Sequence, residues 1–415
     1  MGGSTRDISF GVGEIPLSVV LSFLFPWRRY CLKVNGKLVT FGWIMSNFLW
    51  LTLGLSVTGC SNTSSLPATA TMPDAILTPP WPTATAKPTV TPTLAATFTP
   101  IPTLTPLAER VFLTPMTHEY QKLNNCGPVA LAIALSYYGV ERTQFDIAPL
   151  VKGYDKDKNV SPEEMVAYLS KMGLGGKARL NGDPAVLMAL VSNGIPVIVE
   201  QWLERPHDGV LVGHYRVVRG YDQGAGIIIV NDPYTGPDVR FSYALFDERW
   251  RPFNRCYIPV YLPEQEAVVR AILGADWEDE AMYQKALASA QREVEEIGDN
   301  YAWFNLGDDY LALGGYREAA DAYGRALEMG FPSHFLWYHY GPLEAYNALG
   351  EYQKVLSLSE EVLAQAPDVE EIRYQRGLAY LGLGEMEKAK TELELAVQYN
   401  PNYTMAIQAL AGLGQ

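Results

Sequence analysis

Through the middle of the chain, some segments have the apolar pattern of a helix and others that of a strand, as is typical of a mixed α/β domain. The apolar run at residues 129–135 predicts a helix that begins at about Cys126, because Pro128 is tolerated in a first helical turn. Ser161 and Glu164 have the spacing of a capping box and predict the start of a second helix.

The segment that follows predicts strands. After a third predicted helix at residues 183–192, three runs rich in β-branched residues predict strands at 195–200, 213–222 and 226–233. A short Gly-containing loop joins the last two strands, which predicts an antiparallel hairpin. This hairpin would bring His214, at the start of one strand, close to Asp232, at the end of the next. The predicted fold is therefore α+β, with an N-terminal helix and an antiparallel sheet.

The C-terminal part repeats with a period of roughly 34 residues. The aligned positions are Tyr310, Tyr346 and Tyr380, and likewise Gly314, Gly350 and Gly384, each of which closes a first helix. In the second unit, Gly341 and Pro342 are expected to interrupt the first helix. Residues 277–297 predict a preceding amphipathic helix and residues 402–413 a closing one. This part is therefore predicted to be an all-α array.

Residues 61–108 differ in composition from the rest of the chain. The sequence has 28 Pro, unevenly distributed, and this segment is dominated by Pro and Thr. Because Pro removes backbone donors and fixes φ, the segment predicts an extended, disordered linker. An O-glycosylated stalk fits the same composition. The predicted organisation is an anchor region at 1–60, the linker at 61–108, the α+β domain at 109–265 and the helical repeats at 266–415.

Basic residues between Arg28 and Lys37 precede an apolar stretch at residues 38–57, which is the layout of a secretory signal. The stretch ends in small residues before Cys60 and resembles the lipobox of bacterial lipoproteins. The resemblance implies lipid attachment at Cys60, which would anchor the protein to the membrane on the extracytoplasmic face of the cell envelope. An uncleaved transmembrane helix is the alternative for the same stretch, and Met45 is an alternative start.

Charge and cysteine content exclude several classes of function. The formal net charge of −14 argues against a nucleic-acid partner, because a phosphate-binding surface needs clustered Lys and Arg. Four cysteines are too few to staple so long a chain with disulfides. The histidines and carboxylates show no metal-ligand spacing. We therefore expect no metal and no cofactor.

The predicted elements place chemically matched residues near one another. Cys126 lies at a helix N-terminus, where the macrodipole favours the thiolate. His214 would be its general base, and Asp232 would fix the imidazole tautomer and stabilise the imidazolium. The side-chain amide of Gln121 is the candidate donor to a developing oxyanion, with the backbone N–H of Cys126 as the second donor.

Each of these residues also has a structural interpretation. Cys126 could be an inert buried thiol, or could form a disulfide with Cys256. His214 could be a satisfied core histidine, and Asp232 a turn residue. His118 is a competing candidate for the general base, although it precedes the first helix in an irregular stretch.

Three segments, taken in order, carry a resemblance. They are residues 120–128, the run His-Tyr-x-Val-Val-x-Gly-Tyr-Asp from His214, and Asn231-Asp232-Pro233-Tyr234. Together they resemble the papain-like cysteine peptidases of the bacteriocin-processing type, the peptidase C39-like proteins, over residues 111–263. The resemblance implies hydrolysis of peptide bonds, with the cysteine, histidine, aspartate and glutamine in the roles just described. The leader-peptide substrates of members fused to transporters do not carry over.

The helical array resembles tetratricopeptide repeats, which implies a surface that binds a peptide or protein partner. We interpret the chain as a membrane-anchored extracytoplasmic cysteine peptidase that acts on a peptide or protein, with repeats that recruit substrate or partner. A non-catalytic peptide-binding or assembly protein is the alternative. Transglutaminase-like or amidase chemistry would use the same three residues, and the array could be a structural extension only.

Overall fold

The computed structural model describes residues 31–34, 37–40, 104–332 and 334–413. Two short strands, β1 (Cys31–Val34) and β2 (Lys37–Thr40), pair antiparallel with Cys31 opposite Thr40. The rest of the apolar stretch, Cys60 and most of the linker lie outside the described residues, so the lipoprotein signal stays a prediction. No helix within the described ranges is long and apolar enough to cross a membrane.

The second part of the chain begins with an antiparallel sheet. Its strands are β3 (Arg110–Phe112), β4 (Gly175–Gly176), β5 (Val197–Glu204), β6 (Leu211–Asp222), β7 (Ile227–Asp232), β8 (Gly236–Ser242) and β9 (Tyr257–Tyr261). Their order is β4-β9-β5-β6-β7-β8, and β3 pairs with β6. The predicted hairpin is present as β6 and β7, with Val217 opposite Asn231. The long central strand β6 therefore runs beside the strand that ends at Asp232.

Five helices pack on this sheet or beside it, and their bounds are α1 (Cys126–Tyr137), α2 (Gln144–Val151), α3 (Pro162–Lys171), α4 (Pro184–Ser192) and α5 (Tyr243–Trp250). Helix α1 is buried from Gly127 to Ser136, because it is apolar all round and packs in the core against Ile198 and Val217. Alternate residues of the same strands, Val197 and Val218, join a second core that contains α4. Helices thus cover both faces of the sheet, and the predicted α+β class is confirmed.

The C-terminal part is a helical array, as predicted. Its helices are α6 (Glu266–Leu273), α7 (Asp279–Glu296), α8 (Asn300–Ala312), α9 (Tyr316–Met329), α10 (Gly341–Ala348), α11 (Tyr352–Gln365), α12 (Glu370–Gly382), α13 (Met386–Tyr399) and α14 (Thr404–Leu413). Gly314, Gly350 and Gly384 separate the two helices of each unit at φ of 78°, 72° and 75°, a region that favours glycine.

One expectation for the second repeat is wrong. Gly341 and Pro342 do not interrupt its first helix but begin it, because Pro is accommodated in a first turn. The residues before them, 331–340, include only a short 3-10 turn at Phe335–Trp337. Helix α10 is therefore 8 residues long, against 13 for α8.

The array is packed tightly against the sheet domain. Trp202 of β5 and Phe253 join Phe335 in one apolar cluster of the array. At the edge of this cluster, the two terminal nitrogens of Arg251, Nη1 and Nη2, donate to Asp299 Oδ1 and Oδ2 at 2.9 and 2.6 Å. The 3-10 turn before α10 is consequently packed beside β5, where the ring centroids of Phe335 and Trp202 lie 5.9 Å apart.

Candidate active site

Cys126 is the first residue of α1 and is half-buried. The helix start is fixed by polar contacts of Asn125, which donates to Gln144 Oε1 at 2.9 Å and accepts from Lys152 Nζ at 3.1 Å. Close packing also favours Gly127, since a Cβ there would lie 3.2 Å from Val160 Cβ. The thiol is thereby held at the positive end of a buried helix.

His214 and Asp232 meet on the face of the β6–β7 hairpin. The Nε2–H of His214 donates to Oδ1 of Asp232 at 2.8 Å, and both side chains are buried. Because Val217 lies opposite Asn231, Asp232 faces Arg216 and reaches His214 diagonally on the same face. The proximity expected from strand length is therefore present.

Asp232 is held by further donors. Its Oδ1 also accepts from the backbone N–H groups of Tyr234 and Thr235, at 2.8 and 3.0 Å. Its Oδ2 accepts from Nε of Arg216 at 2.7 Å. Burial alone would raise the pKa of this carboxyl, but the pair with His214 and the charge of Arg216 hold it well below its usual range. Asp232 is therefore a fixed anion.

His214 connects this anion to the thiol. Burial would lower the pKa of His214, yet the charge and hydrogen bond of Asp232, with a hydrogen bond to Cys126, raise it overall. Burial likewise raises the pKa of Cys126, but the hydrogen bond and charge of His214 outweigh it, so the pKa of the thiol is lowered. Since Asp232 occupies Nε2, Nδ1 is the nitrogen left for the sulfur. The arrangement favours a thiolate beside an imidazolium.

Gln121 lies on the same cavity as Cys126 and His214, with a volume of about 390 Å³. Its backbone N–H donates to the carbonyl of Pro233 at 2.9 Å, which ties it to the turn after Asp232. No group in the described part of the chain hydrogen-bonds its buried Oε1. The structure thus places Gln121, Cys126 and His214 on one cleft, with Asp232 hydrogen-bonded to His214 behind it. Their chemical roles stay a prediction.

The residues of the competing interpretations, Cys256 and His118, do not line the cleft of Cys126. Cys126 and Cys256 are both free, so the disulfide between them is not formed. Cys256 is buried, and burial raises the pKa of its thiol well above the ordinary value. His118 lines a different cavity, together with Glu119 and Ser136. Cys60 lies outside the described residues.

Two features of the cleft were missed. Arg216 could have been found, because it is two residues from His214 and a strand places such residues on one face. The other feature is a wall contributed by the array, formed by His334, Trp337 and Tyr338. A Cβ on Gly213 would lie 3.0 Å from the ring of Tyr338. No local sequence signal places the array there.

Comparison with known proteins agrees with the two domain resemblances. Residues 113–258 match the Peptidase_C39 like family, and residues 346–413 match the tetratricopeptide repeat. These matches confirm the sequence-based resemblances for the two domains, whereas the lipoprotein resemblance is not tested by them.

Solved structures are similar to parts of the chain. The peptidase domain of ComA from Streptococcus is 20% identical, with a TM-score of 0.29, and covers 35% of this chain and 98% of its own. A double glycine motif protease from an AMS/PCAT transporter is 19% identical, with a TM-score of 0.28, and covers 37% and 94%. A MamA fragment from Desulfovibrio magneticus RS-1 is 25% identical, with a TM-score of 0.29, and covers 32% and 75%. No curated protein matches.

Proposed function

We propose that this protein is a cysteine peptidase with Cys126 as nucleophile. The chain carries a Peptidase_C39 like domain in residues 113–258 and tetratricopeptide repeats in residues 346–413. The observation that supports this most strongly is the hydrogen-bonded line from Cys126 through His214 to Asp232, which ends at 2.8 Å on a buried carboxylate. A lowered thiol pKa supports a nucleophile at neutral pH, and peptide binding alone does not require it.

The proposed reaction has two steps. In the first, the thiolate of Cys126 attacks the scissile carbonyl carbon, and the imidazolium of His214 gives its Nδ1 proton to the leaving amine. The backbone N–H of Cys126 and the side-chain N–H of Gln121 donate to the developing oxyanion. In the second step, His214 takes a proton from water, whose oxygen attacks the thioester and releases the acid. Asp232 remains ionised and orients the ring throughout.

A cleavage assay with matched variants tests this proposal. A mixture of denatured proteins is incubated with the protein, and new peptide ends are identified by mass spectrometry. We expect cleavage by the unsubstituted protein, no cleavage by Cys126→Ala, and full cleavage by Cys256→Ala, which removes the other described free thiol. Equal cleavage by Cys126→Ala, or none by the unsubstituted protein while Cys126 remains reduced, would contradict the proposal.

We also propose that Cys60 carries a lipid that holds the domains at the extracytoplasmic face of the cell envelope. The sequence before Cys60 supports this. In a bacterial host given a radiolabelled fatty acid, we expect label in the unsubstituted chain and none in Cys60→Ser. Label retained by Cys60→Ser would contradict the lipid site, without bearing on the peptidase proposal.

A further inference from the structure

A second, larger cavity lies between the peptidase domain and the helical array, which lines it from α7 to α14. Its volume is about 880 Å³, within the range of ligand-binding pockets. The domain side includes Glu163 of α3 and Glu200 of β5, and the array side includes Asp308 of α8, Glu344 of α10 and Gln375 of α12. The cavity therefore exists only because the array is packed on the domain.

The cavity is lined by carboxylates without cations. In the described part of the chain its lining contains no Lys or Arg, and no ion pair neutralises Glu163, Glu200, Asp308 or Glu344. Burial raises the pKa of Asp308 and of Glu344 to about 7 each, and repulsion from Glu344 contributes to the rise at Asp308. Burial is the larger cause at Asp308 and the only one at Glu344, so this site disfavours unpaired negative charge on both side chains.

Two buried polar atoms of the lining have no hydrogen-bond partner among the described residues. Asn347 Nδ2 donates to the carbonyl and Oε1 of Gln375, at 2.9 and 2.8 Å, which leaves Oδ1 to accept. No described residue hydrogen-bonds Asn347 Oδ1 or His339 Nε2, although both atoms are buried. A buried polar atom without a partner is costly, so a donor supplied by a ligand would be stabilising.

Aromatic rings complete the lining. Its tyrosines are Tyr283, Tyr316, Tyr338, Tyr340, Tyr352 and Tyr374. Tyrosine faces attract ammonium and guanidinium groups, and apolar surfaces accept the methylene stems of Lys and Arg. The lining therefore matches a long cationic side chain along its length as well as at its charged end.

We propose that this cavity binds a Lys- or Arg-bearing segment of a polypeptide, with a cationic side chain seated between Asp308 and Glu344. Backbone N–H groups of the segment are the donors for Asn347. Tyr338 lines both this cavity and the cleft of Cys126, so the two adjoin at this residue. Delivery of that segment to Cys126 rests on the proposed peptidase function, whereas its binding does not.

Binding is measured on the full chain with Cys126→Ala, so that no turnover occurs. The probe is a short fluorescein-labelled peptide of alternating Lys and Gly, followed by fluorescence anisotropy. We expect saturable binding that weakens by about tenfold or more in Asp308→Asn/Glu344→Gln. The matched control, Glu360→Gln/Glu361→Gln on the exposed side of α11, removes the same charge and should bind like the parent.

Three outcomes would overturn the proposal: equal binding of a Glu–Gly peptide, unchanged binding in Asp308→Asn/Glu344→Gln, or binding of spermine but not of the peptide. If the double variant is unstable, the parent alone still tests the proposal. Its binding of the Lys–Gly peptide must fall as ionic strength rises, and no binding of that peptide at low salt overturns the proposal. Reactivity of Cys126 in the chain with its thiol restored separates the two proposals, since a reactive thiol in a protein that does not bind the Lys–Gly peptide contradicts only the cavity proposal, and an unreactive thiol in a protein that does bind it contradicts only the peptidase proposal.

Discussion

Asp232 is the residue at which the electrostatics of the cleft converge. It accepts from His214 on one oxygen and from Arg216 on the other. Arg216 is itself held by Gln201 Oε1 at 3.0 Å and by the carbonyl of Trp202 at 3.2 Å. A buried anion with this many partners is rigid, and removing its charge leaves buried cations uncompensated. The carboxylate thereby sets the protonation of a thiol it does not touch.

Substitution Asp232→Asn keeps the shape of the side chain but removes the charge that raises the pKa of His214. The imidazolium of His214 then loses its counter-charge, and the thiolate of Cys126 loses the imidazolium that stabilises it. The value of kcat/KM for peptide cleavage should therefore fall by about 100-fold or more. Asp238→Asn is the control, because that carboxylate is half-exposed and pairs with Arg219 at 3.0 Å. Equal losses in the two variants would show that position 232 acts only through stability.

Elements with local signals were predicted closely from the sequence. Helix α3 starts after Ser161 because the serine and Glu164 cap each other, at 3.2 and 2.9 Å. Helix α2 was missed although Thr143 and Asp146 form a capping box, because Pro149 inside it argues against a helix. The exposed strand β8 was missed because it lacks an apolar run.

Loss of the α3 cap tests the contribution of such a signal. Ser161→Ala removes the acceptor for the N–H of Glu164, which typically costs about 1 kcal/mol. For a chain of this size we expect a fall in Tm of about 1–2 °C, measured by circular dichroism. Ser170→Ala, in the exposed part of the same helix, should leave Tm nearly unchanged. Identical shifts would show that the cap contributes nothing specific.

At the scale of the whole molecule, the domain and the array share buried contacts that no local pattern encodes. Asn400 of the array donates to Glu164 of α3 at 3.3 Å, across 236 positions, and to Glu370 at 3.0 Å. Repeat spacing and helix ends were predictable, but not which residues of the array face the domain. The array wall of the Cys126 cleft was unpredictable for the same reason.

This contact predicts a pH dependence of stability. Burial raises the pKa of Glu164 to about 7 and of Glu370 to about 8, from ordinary values of 4.5. Between ordinary and raised values, the folded protein binds more protons than the unfolded chain, so the free energy of unfolding falls as pH rises. We expect a Tm lower by about 5 °C or more at the upper end of this window than at the lower end, by calorimetry.

The variant Glu164→Gln/Glu370→Gln should reduce this slope, because it removes two of the titrating groups. The exposed pair Glu360→Gln/Glu361→Gln should preserve it. A slope unchanged in the first variant would show that these carboxyls do not change protonation on folding.

The activation of Cys126 by His214 is tested most directly by the rate of alkylation of Cys126 with iodoacetamide as a function of pH, read by mass spectrometry at that residue. We expect fast alkylation at neutral pH, with a midpoint well below the value of about 8.5 for a free thiol. In His214→Ala the midpoint should rise to that value or above, while buried Cys256 stays unmodified in both. Alkylation of the unsubstituted protein with an ordinary midpoint, unmoved by His214→Ala, would contradict a thiolate–imidazolium pair and the peptidase built on it.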